Sequence, residues 1–347
     1  MKNNHHHWAV PLSGVLLMGA GLSAIAAPDQ ATYFDSTNRV TLSMRFGLNI
    51  QAKFSGIGTA AGSGHYFDGY VLTDSTGNYL GYTSYWGANG PSQYNQPGQP
   101  ANTFSFHNPV NSSAGSSADN SPYLGLELTY DRQLGVKEDW HHLRYGVEGA
   151  VNYMNISVDN HSSYGTAVST TPYTYGGVPG VLPSSWPYQG AYNGNPNDPT
   201  LGVPALPTTT TPGGNLQVQD DFNANLWGGR LGPYVELPFG KQEQFTLALS
   251  SGLALGLVDA SESWNEALTL PGGGAPIRIS GSGNNFDVLW GWYVSGTANY
   301  QLNKQWGLAA GVQFQDLGTY THNFSGRTAQ LDLSQSVFFQ FGVSYSF

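Results

Sequence analysis

The sequence predicts an all-β fold: a closed antiparallel eight-stranded transmembrane β-barrel with long extracellular loops and short periplasmic turns. Eight segments alternate large apolar with small or polar side chains, and their connections alternate between short and long. Only 10% of the residues are charged, while Tyr, Phe and Trp make up 13%, a fraction that argues against a disordered chain. No run of eighteen or more apolar residues occurs beyond the N-terminus, which excludes helical membrane spans.

The alternating segments lie at about 39–54, 122–134, 142–158, 218–238, 244–259, 284–302, 305–319 and 330–347. Because successive side chains on a strand point to opposite faces, each segment has one apolar and one mostly polar face. In the first, Leu42, Met44 and Phe46 share the apolar face. Nearly every segment reaches the about 9–11 residues that a lipid-crossing strand needs. We therefore expect the apolar rows to face lipid; in a water-soluble sandwich they would face inward.

The final segment shows the pattern most clearly. Its apolar face carries Val337, Phe339, Phe341, Val343, Tyr345 and Phe347, and the opposite face is mostly small and polar. The connections before it are short at 135–141, 240–242 and 303–304, and long at about 55–121, 159–217, 263–281 and 321–328. Short turns at one end and long loops at the other are typical of outer-membrane barrels.

The N-terminus has the pattern of a secretory signal peptide, residues 1–26, which leaves 27–347 for the barrel. Lys2 supplies the positive charge, an apolar region follows, and Ala24-Ile25-Ala26 fits a small-x-small cleavage site. The chain has no cysteine and a net charge of −10. These features exclude disulfides and thiolate metal sites, and they argue against nucleic-acid binding.

Charged residues on the polar faces are expected to share the barrel interior. The predicted set is Arg45, Lys53, Glu127, Asp131, Arg144, Glu148, Arg230, Glu236 and Asp287. Because an isolated buried charge is very costly to desolvate, these groups must pair. We expect a salt-bridged plug centred on Arg45, Arg144, Glu127 and Glu148, and the alternative is a gated or narrow channel.

The first long loop is rich in aromatic residues between polar ones. Tyr, Trp, Asn, Ser and Gly are the residues of adaptable recognition surfaces, so the loop is a candidate binding surface for a glycan or a protein, with a small β-hairpin capping the barrel. The alternative is a solvated coat without a partner. The candidate residues are Tyr66, Phe67, Asp68, Tyr70, Tyr82, Tyr85 and Trp86.

Catalytic signals are weak. His322 lies close to a strand end, where a site with Asp316 is conceivable, and the other loop histidines have no matching local signature. His141 and His142 fall at a periplasmic turn, where a solvated role is expected. No zinc motif or phosphate-binding glycine loop is present. The sequence therefore predicts no enzyme, no metal and no cofactor.

Taken together, the strands resemble the eight-stranded outer-membrane barrels of the OmpA/OmpX-like kind. The terminal aromatic Phe347 is similar to the signal read by the barrel-insertion machinery. The resemblance implies a bacterial outer-membrane location, with the lipid bilayer and that machinery as partners. It implies little about activity, because fold does not determine function. We expect a structural or surface-interaction, adhesin-like role carried by the loops. A porin-like channel is the alternative, and a barrel enzyme acting on lipid or peptide is a further one.

Overall fold

The computed structural model describes residues 37–59, 62–75, 77, 81–110, 115–119, 121–138, 142–182, 199–204, 207–240, 243–324 and 326–347. The predicted signal peptide, Trp140 and His141 lie outside these ranges. The described part contains the strands β1 (Asn38–Leu48), β2 (Gln51–Ser55), β3 (His65–Tyr66), β4 (Gly69–Val71), β5 (Trp86–Ala88), β6 (Thr103–Val110), β7 (Ser116–Ala118), β8 (Tyr123–Lys137), β9 (Leu143–Tyr175), β10 (Leu201–Pro204), β11 (Thr209–Phe239), β12 (Phe245–Thr269), β13 (Ile277–Gln301), β14 (Trp306–Asp316), β15 (Thr319–Phe324), β16 (Arg327–Asp332) and β17 (Ser336–Ser346). A 3-10 helix covers Pro91–Gln93. No described helix has the length and apolarity to span a membrane.

Antiparallel hydrogen-bonded pairs connect the long strands in a ring. The order is β1, β8, β9, β11, β12, β13, β14 and β17, and β17 pairs with β1. Strands adjacent in the chain are mostly adjacent in the ring, as expected for antiparallel strands joined by short turns. The predicted all-β, antiparallel architecture is confirmed.

The outer surface of this ring is apolar over one band. Large apolar side chains of every ring strand point outward there and are exposed, including Leu126, Val151, Leu253, Trp290 and Phe341. At the short-turn end, Phe239, Phe245, Trp306 and Phe347 are exposed as well, as in an interfacial aromatic girdle. The predicted outward orientation of the apolar rows is confirmed, and the sandwich alternative is wrong.

The apolar band ends at a sharp boundary on β9, β11 and β12, and on β13 it ends one row higher, at Phe286. Tyr153, Trp227, Leu257 and Val288 are successive neighbours in one outward row. In the next outward row on β9, β11 and β12, the residues are Asn155, Asn225 and Asp259. Inside, the opposite change occurs: the side chains above the boundary form an apolar core that includes Ile156, Val158, Phe222 and Val258. The strands therefore leave lipid at this boundary and continue as a water-exposed wall.

This continuation corrects the predicted loop boundaries. The predicted loop 159–217 is strand up to Tyr175 and again from Thr209, and the predicted loop 263–281 is strand except around 270–276. The reason is the polarity of the outward face, which carries Asn, Ser and Asp above the boundary and therefore resembles a loop in the sequence.

The first predicted segment, 39–54, is interrupted. Asn49 has a positive φ of 59°, a left-handed conformation that asparagine tolerates better than most residues. Beyond this break Ile50, Ala52 and Phe54 turn inward and are buried, whereas Lys53 faces outward. β2 belongs to a second sheet in the order β15-β16-β2-β7, which covers the apolar core above the boundary.

The extracellular end carries a further layer, here called the cap: β3, β4, β5, β6, β10 and the end of β9. β3, β4 and β5 form a small antiparallel sheet, and β6 and β10 both pair with β9. Trp86, Phe104, Phe106, Tyr175 and Leu201 form the core of the cap. The cap is thus a packed structure with its own apolar centre.

The lipid boundary can be tested with two arginine substitutions on the outward face of β12. Leu253 lies within the apolar band and Ser261 lies above it, and both are exposed. Leu253→Arg is expected to lose about 2–4 kcal/mol of folding free energy in vesicles, because a charge enters hydrocarbon. Ser261→Arg should stay within about 0.5 kcal/mol of the wild type. Denaturant titration with heat-modifiable gel migration measures both, and equal losses would contradict the boundary.

Candidate functional site

The centre of the ring holds a buried ion-pair cluster from β1, β8, β9 and β11. Arg45 Nη1 lies 2.8 Å from Glu127 Oε2, and Arg230 Nη2 lies 2.9 Å from Glu127 Oε1. Arg230 also donates to Glu148, and the Gln340 amide donates to Glu127 at 2.9 Å. The two arginines and two glutamates are all buried and balance in charge, as a low-dielectric interior requires.

A second buried cluster lies towards the periplasmic end. Arg39 contacts Asp131 at 2.9 Å and Glu236 at 2.8 Å. Arg144 contacts Glu243 at 2.7 Å and lies 3.8 Å from Glu236. The structure therefore divides the predicted interior charges into two clusters, with Arg144 in the second rather than the central one. Sequence reasoning missed Arg39, although it has the same strand parity as Arg45.

Two residues of the predicted interior set lie outside these two clusters: Lys53 faces outward, whereas Asp287 keeps the inward parity of its strand. Lys53 is on the outer wall and pairs with Asp332 at 2.9 Å, with 45% of its side chain exposed. Its inward placement was wrong because the break at Asn49 reverses the strand parity. Asp287 is half-buried and accepts a hydrogen bond from the backbone N–H of Val288. Among the described residues it makes none of the ion pairs.

The interior is filled on the extracellular side of the central cluster. The Arg45 guanidinium lies 3.6 Å from the centre of the Phe338 ring, and the Arg230 guanidinium lies 5.0 Å from that of Tyr293. Buried Ile50, Met154 and other apolar residues continue the filling upward. The cavity beside the ion pairs has a volume of about 20 Å³, room for roughly one water molecule. This packing of the described residues favours the predicted salt-bridged plug over an open channel.

A third buried charge cluster lies above the lipid boundary. Arg327 donates to Glu266 and to Asp220, the latter at 3.4 Å, and lies over the Trp264 ring at 4.6 Å. The Gly58 N–H donates to Glu266 at 2.7 Å. Burial raises the pKa of Asp220 and of Glu266, and the charge of Arg327 opposes that rise. Sequence reasoning missed this cluster, although Asp220 and Glu266 keep the inward parity of their strands.

His322 also lies in this upper wall. Its Nδ1 is 2.9 Å from Glu262 Oε2, and the Tyr320 hydroxyl is 3.5 Å from Glu262 Oε1. Burial raises the pKa of Glu262, and the contact with His322 lowers it. Asp316, the partner considered from sequence, instead accepts a hydrogen bond from the Gly318 N–H at 2.9 Å. The described residues contain no group of three or more potential metal ligands.

Three of the predicted recognition residues are buried in the extracellular structure. Phe67 packs in an apolar cluster with Leu216 and Leu268, and Trp86 is fully buried with its indole N–H donating to the Pro199 carbonyl at 2.6 Å. Asp68 accepts a backbone hydrogen bond from His107 at 2.8 Å and contacts His107 Nδ1 at 2.6 Å. Trp86 is therefore a packing residue rather than part of a recognition surface, whereas the buried Phe67 and Asp68 also line the cleft described below.

The four predicted tyrosines are partly accessible. Tyr66 is hydrogen-bonded to Tyr173 through their hydroxyls at 2.7 Å. Tyr70 and Tyr85 make an edge-to-face contact with ring centres 5.7 Å apart, and Tyr82 is half-buried as well. Of these, Tyr70 borders an open cleft on the cap.

This cleft has a volume of about 250 Å³. The residues that line it are Phe67, Asp68, Gly69, Tyr70, Gly87, Ala88, Asn89 and Ile279. A Cβ at Gly69 would collide with the carbonyl oxygen of Gly87, so glycine allows the two strands to approach here. The cleft combines an aromatic ring, an exposed amide and backbone polar groups.

A ring of antiparallel strands with an outward apolar band and a polar interior is the architecture of outer-membrane β-barrels, because only closed barrels and helices satisfy their backbone in lipid. The chain therefore has the architecture of an outer-membrane β-barrel. Phe347 lies at the end of β17, where its carbonyl accepts from the Asn38 N–H at 3.2 Å.

No protein-family model matches the chain, and no curated protein matches it either. Solved structures similar to it include Ail of Yersinia pestis in complex with the heparin analogue sucrose octasulfate, at 8% identity over 89% of this chain and 99% of that chain, with a TM-score of 0.29. Neisserial surface protein A is 13% identical over 90% and 98% of the chains, with a TM-score of 0.30. The outer-membrane protease OmpT of Escherichia coli is 10% identical over 90% and 97%, with a TM-score of 0.32.

The plug can be tested through its central carboxylate. Glu127→Gln leaves Arg45 and Arg230 without their shared charge partner, and it is expected to lose about 3–5 kcal/mol of folding free energy. Lys53→Met is the control, since it removes an exposed pair and should lose less than about 1 kcal/mol. Both are measured by denaturant titration in vesicles. A Glu127→Gln variant as stable as the control would show that the cluster does not hold the barrel interior.

Proposed function

We propose that this protein is a plugged barrel with a surface-interaction, adhesin-like role, in which the membrane part anchors a rigid extracellular binding surface. The observation that carries the proposal is the filled interior, with its balanced ion pairs and the apolar core above them. A barrel without an open lumen does not provide a path for solutes. Much of the described chain instead forms the long wall and the cap.

The cleft on the cap is the proposed contact site. Its volume of about 250 Å³ is below the range of about 300–1,000 Å³ typical of small-molecule pockets, so it suits a single sugar ring at the end of a larger glycan. The Tyr70 ring offers an apolar face for stacking, and Asn89 is exposed and offers an amide donor and acceptor.

The charge of the protein favours an uncharged glycan. The chain has a net charge of −10, and none of the residues that line the cleft is Lys or Arg. A sulfated or phosphorylated ligand would meet long-range repulsion and find no cation in the cleft. We therefore expect neutral sugars to be the partner class, with an extracellular protein as the alternative.

The cleft can be tested with point variants. The protein in lipid nanodiscs is applied to immobilised neutral oligosaccharides that end in galactose, mannose, fucose or N-acetylglucosamine. Tyr70→Ala and Asn89→Ala are each expected to weaken binding by about tenfold or more, because a buried contact at the centre of an interface carries much of the binding energy. Tyr70→Phe should retain binding, since it keeps the ring.

Asn223→Ala is the matched control, because Asn223 is exposed on the outward wall away from the residues that line the cleft. Its binding should equal that of the wild type. The proposal is contradicted if no neutral oligosaccharide binds, or if Tyr70→Ala and Asn223→Ala bind equally well.

The channel alternative has a separate test. A plugged interior predicts that the purified protein gives no reproducible conductance steps in planar bilayers, because its described cavity holds roughly one water. Steps that change in Arg144→Gln would instead establish a conducting path through the periplasmic cluster.

An enzymatic role is not part of the proposal. Within the described residues, the hydrogen bond of the His322 ring goes to Glu262, and no serine or threonine hydroxyl is hydrogen-bonded to that ring. A histidine acting in acyl transfer needs a nucleophile within hydrogen-bond reach. The pair is better explained as part of the inner packing of the wall.

A further inference from the structure

The described lipid-facing surface has an open hollow over β12, β13, β14 and β17, with Val235 and Leu237 of β11 at its edge. Its volume is about 580 Å³. The floor consists of Gly296, Ala298 and Ala310, which are outward positions with little or no side chain. Small residues at three adjacent lipid-facing positions leave a space that a barrel surface of Leu and Phe would fill.

The strand register defines the walls of the hollow. One row across the four strands reads Leu247, Ala298, Ala310 and Phe341, and the row above it reads Leu249, Gly296, Val312 and Phe339. In each row the two outer strands therefore carry Leu and Phe, and the two middle strands carry the smaller residues Gly, Ala or Val. Neighbouring strands are about 4.8 Å apart, so the backbones of the two walls are about 14 Å apart.

Larger residues follow the floor in both directions along the strands, within the apolar band. Val294 and Phe314 form the pair on the extracellular side, and Tyr300 and Leu308 form the pair on the periplasmic side. The floor lies two to four residues from Tyr300 but ten to twelve from Phe286 at the upper end of the band on β13. The hollow therefore lies in the periplasmic half of the membrane.

The width of the hollow decides which kind of molecule can bind in it. A helix with side chains is about 10–12 Å across, too wide once the Leu and Phe walls project into the about 14 Å between the backbones. A second copy of the barrel presents a broad convex surface, which cannot enter a depression of this width. A single hydrocarbon chain fits, and the apolar walls offer it dispersion contacts on three sides.

We propose that the hollow binds one acyl chain of a phospholipid from the periplasmic leaflet and holds it longer than the lipids around the rest of the barrel. The hollow is continuous with the lipid-contacting band, so hydrocarbon reaches it without desolvation of any charged group. Retention comes from shape, since a chain in the hollow contacts floor and walls at once, whereas a chain on the convex surface contacts one side only.

The test fills the hollow by enlarging two residues of its floor. In the double variant Ala298→Leu/Ala310→Leu, two outward side chains occupy the space while the residues remain apolar in lipid. The matched control is Gly149→Leu, another outward position, flanked by Tyr130 and Leu231. Those flanking residues are only two strand spacings apart, about 10 Å, which leaves no slot for a chain. Heat-modifiable gel migration verifies that all three proteins fold.

Native mass spectrometry in detergent with added palmitoyl-oleoyl phosphatidylethanolamine counts the retained lipid. Wild type and Gly149→Leu are expected to retain one phospholipid, and the double variant is expected to retain it about tenfold less. Equal retention by wild type and the double variant would overturn the proposal. So would a wild-type dimer that the double variant converts to monomer, because the hollow would then seat a second copy.

Discussion

The structure depends on one change of polarity along otherwise continuous strands. On β9, β11 and β12, the apolar side chains point outward and the polar ones inward below the row of Tyr153, Trp227 and Leu257; above it the arrangement is reversed. The backbone does not change at this row, since the same ladders run through it. Only the solvent changes, from hydrocarbon outside to water outside, and the hydrophobic effect then places the apolar core inside.

This reversal explains why the interior contains two kinds of filling. Within the membrane, the inward faces of the strands carry polar side chains. Ion pairs such as Arg45 with Glu127 fill the space between these faces. Above it, a conventional apolar core of Ile156, Phe222 and their neighbours does so. The two kinds of filling meet where the Arg45 guanidinium lies over the Phe338 ring.

The strand period made the membrane part predictable. Arg45, Glu127, Glu148 and Arg230 follow from parity alone, because every second side chain shares a face. The face on which Lys53 lies could not be predicted, because the parity change follows from a positive φ at Asn49. An Asn-Ile-Gln sequence does not indicate that conformation. The burial of Phe67 and Trp86 was also hidden, because their partners, including Leu268 and Pro199, are more than a hundred residues away. Strand parity could also have predicted the Arg327 cluster, but its residues lie in stretches whose polar outward face resembles a loop.

The length of β9 has a consequence for where the protein meets its surroundings. From Tyr153 at the lipid boundary to Tyr175 in the cap, the strand continues without interruption. At about 3.3 Å per residue, and with a tilt of about 40°, this stretch raises the tip on the order of 50 Å above the hydrocarbon. Along this height β9 is braced by hydrogen bonds to β11, and in the cap also by those to β6 and β10. It would carry the cap through the sugar layer that coats a Gram-negative cell and present it to whatever approaches from outside.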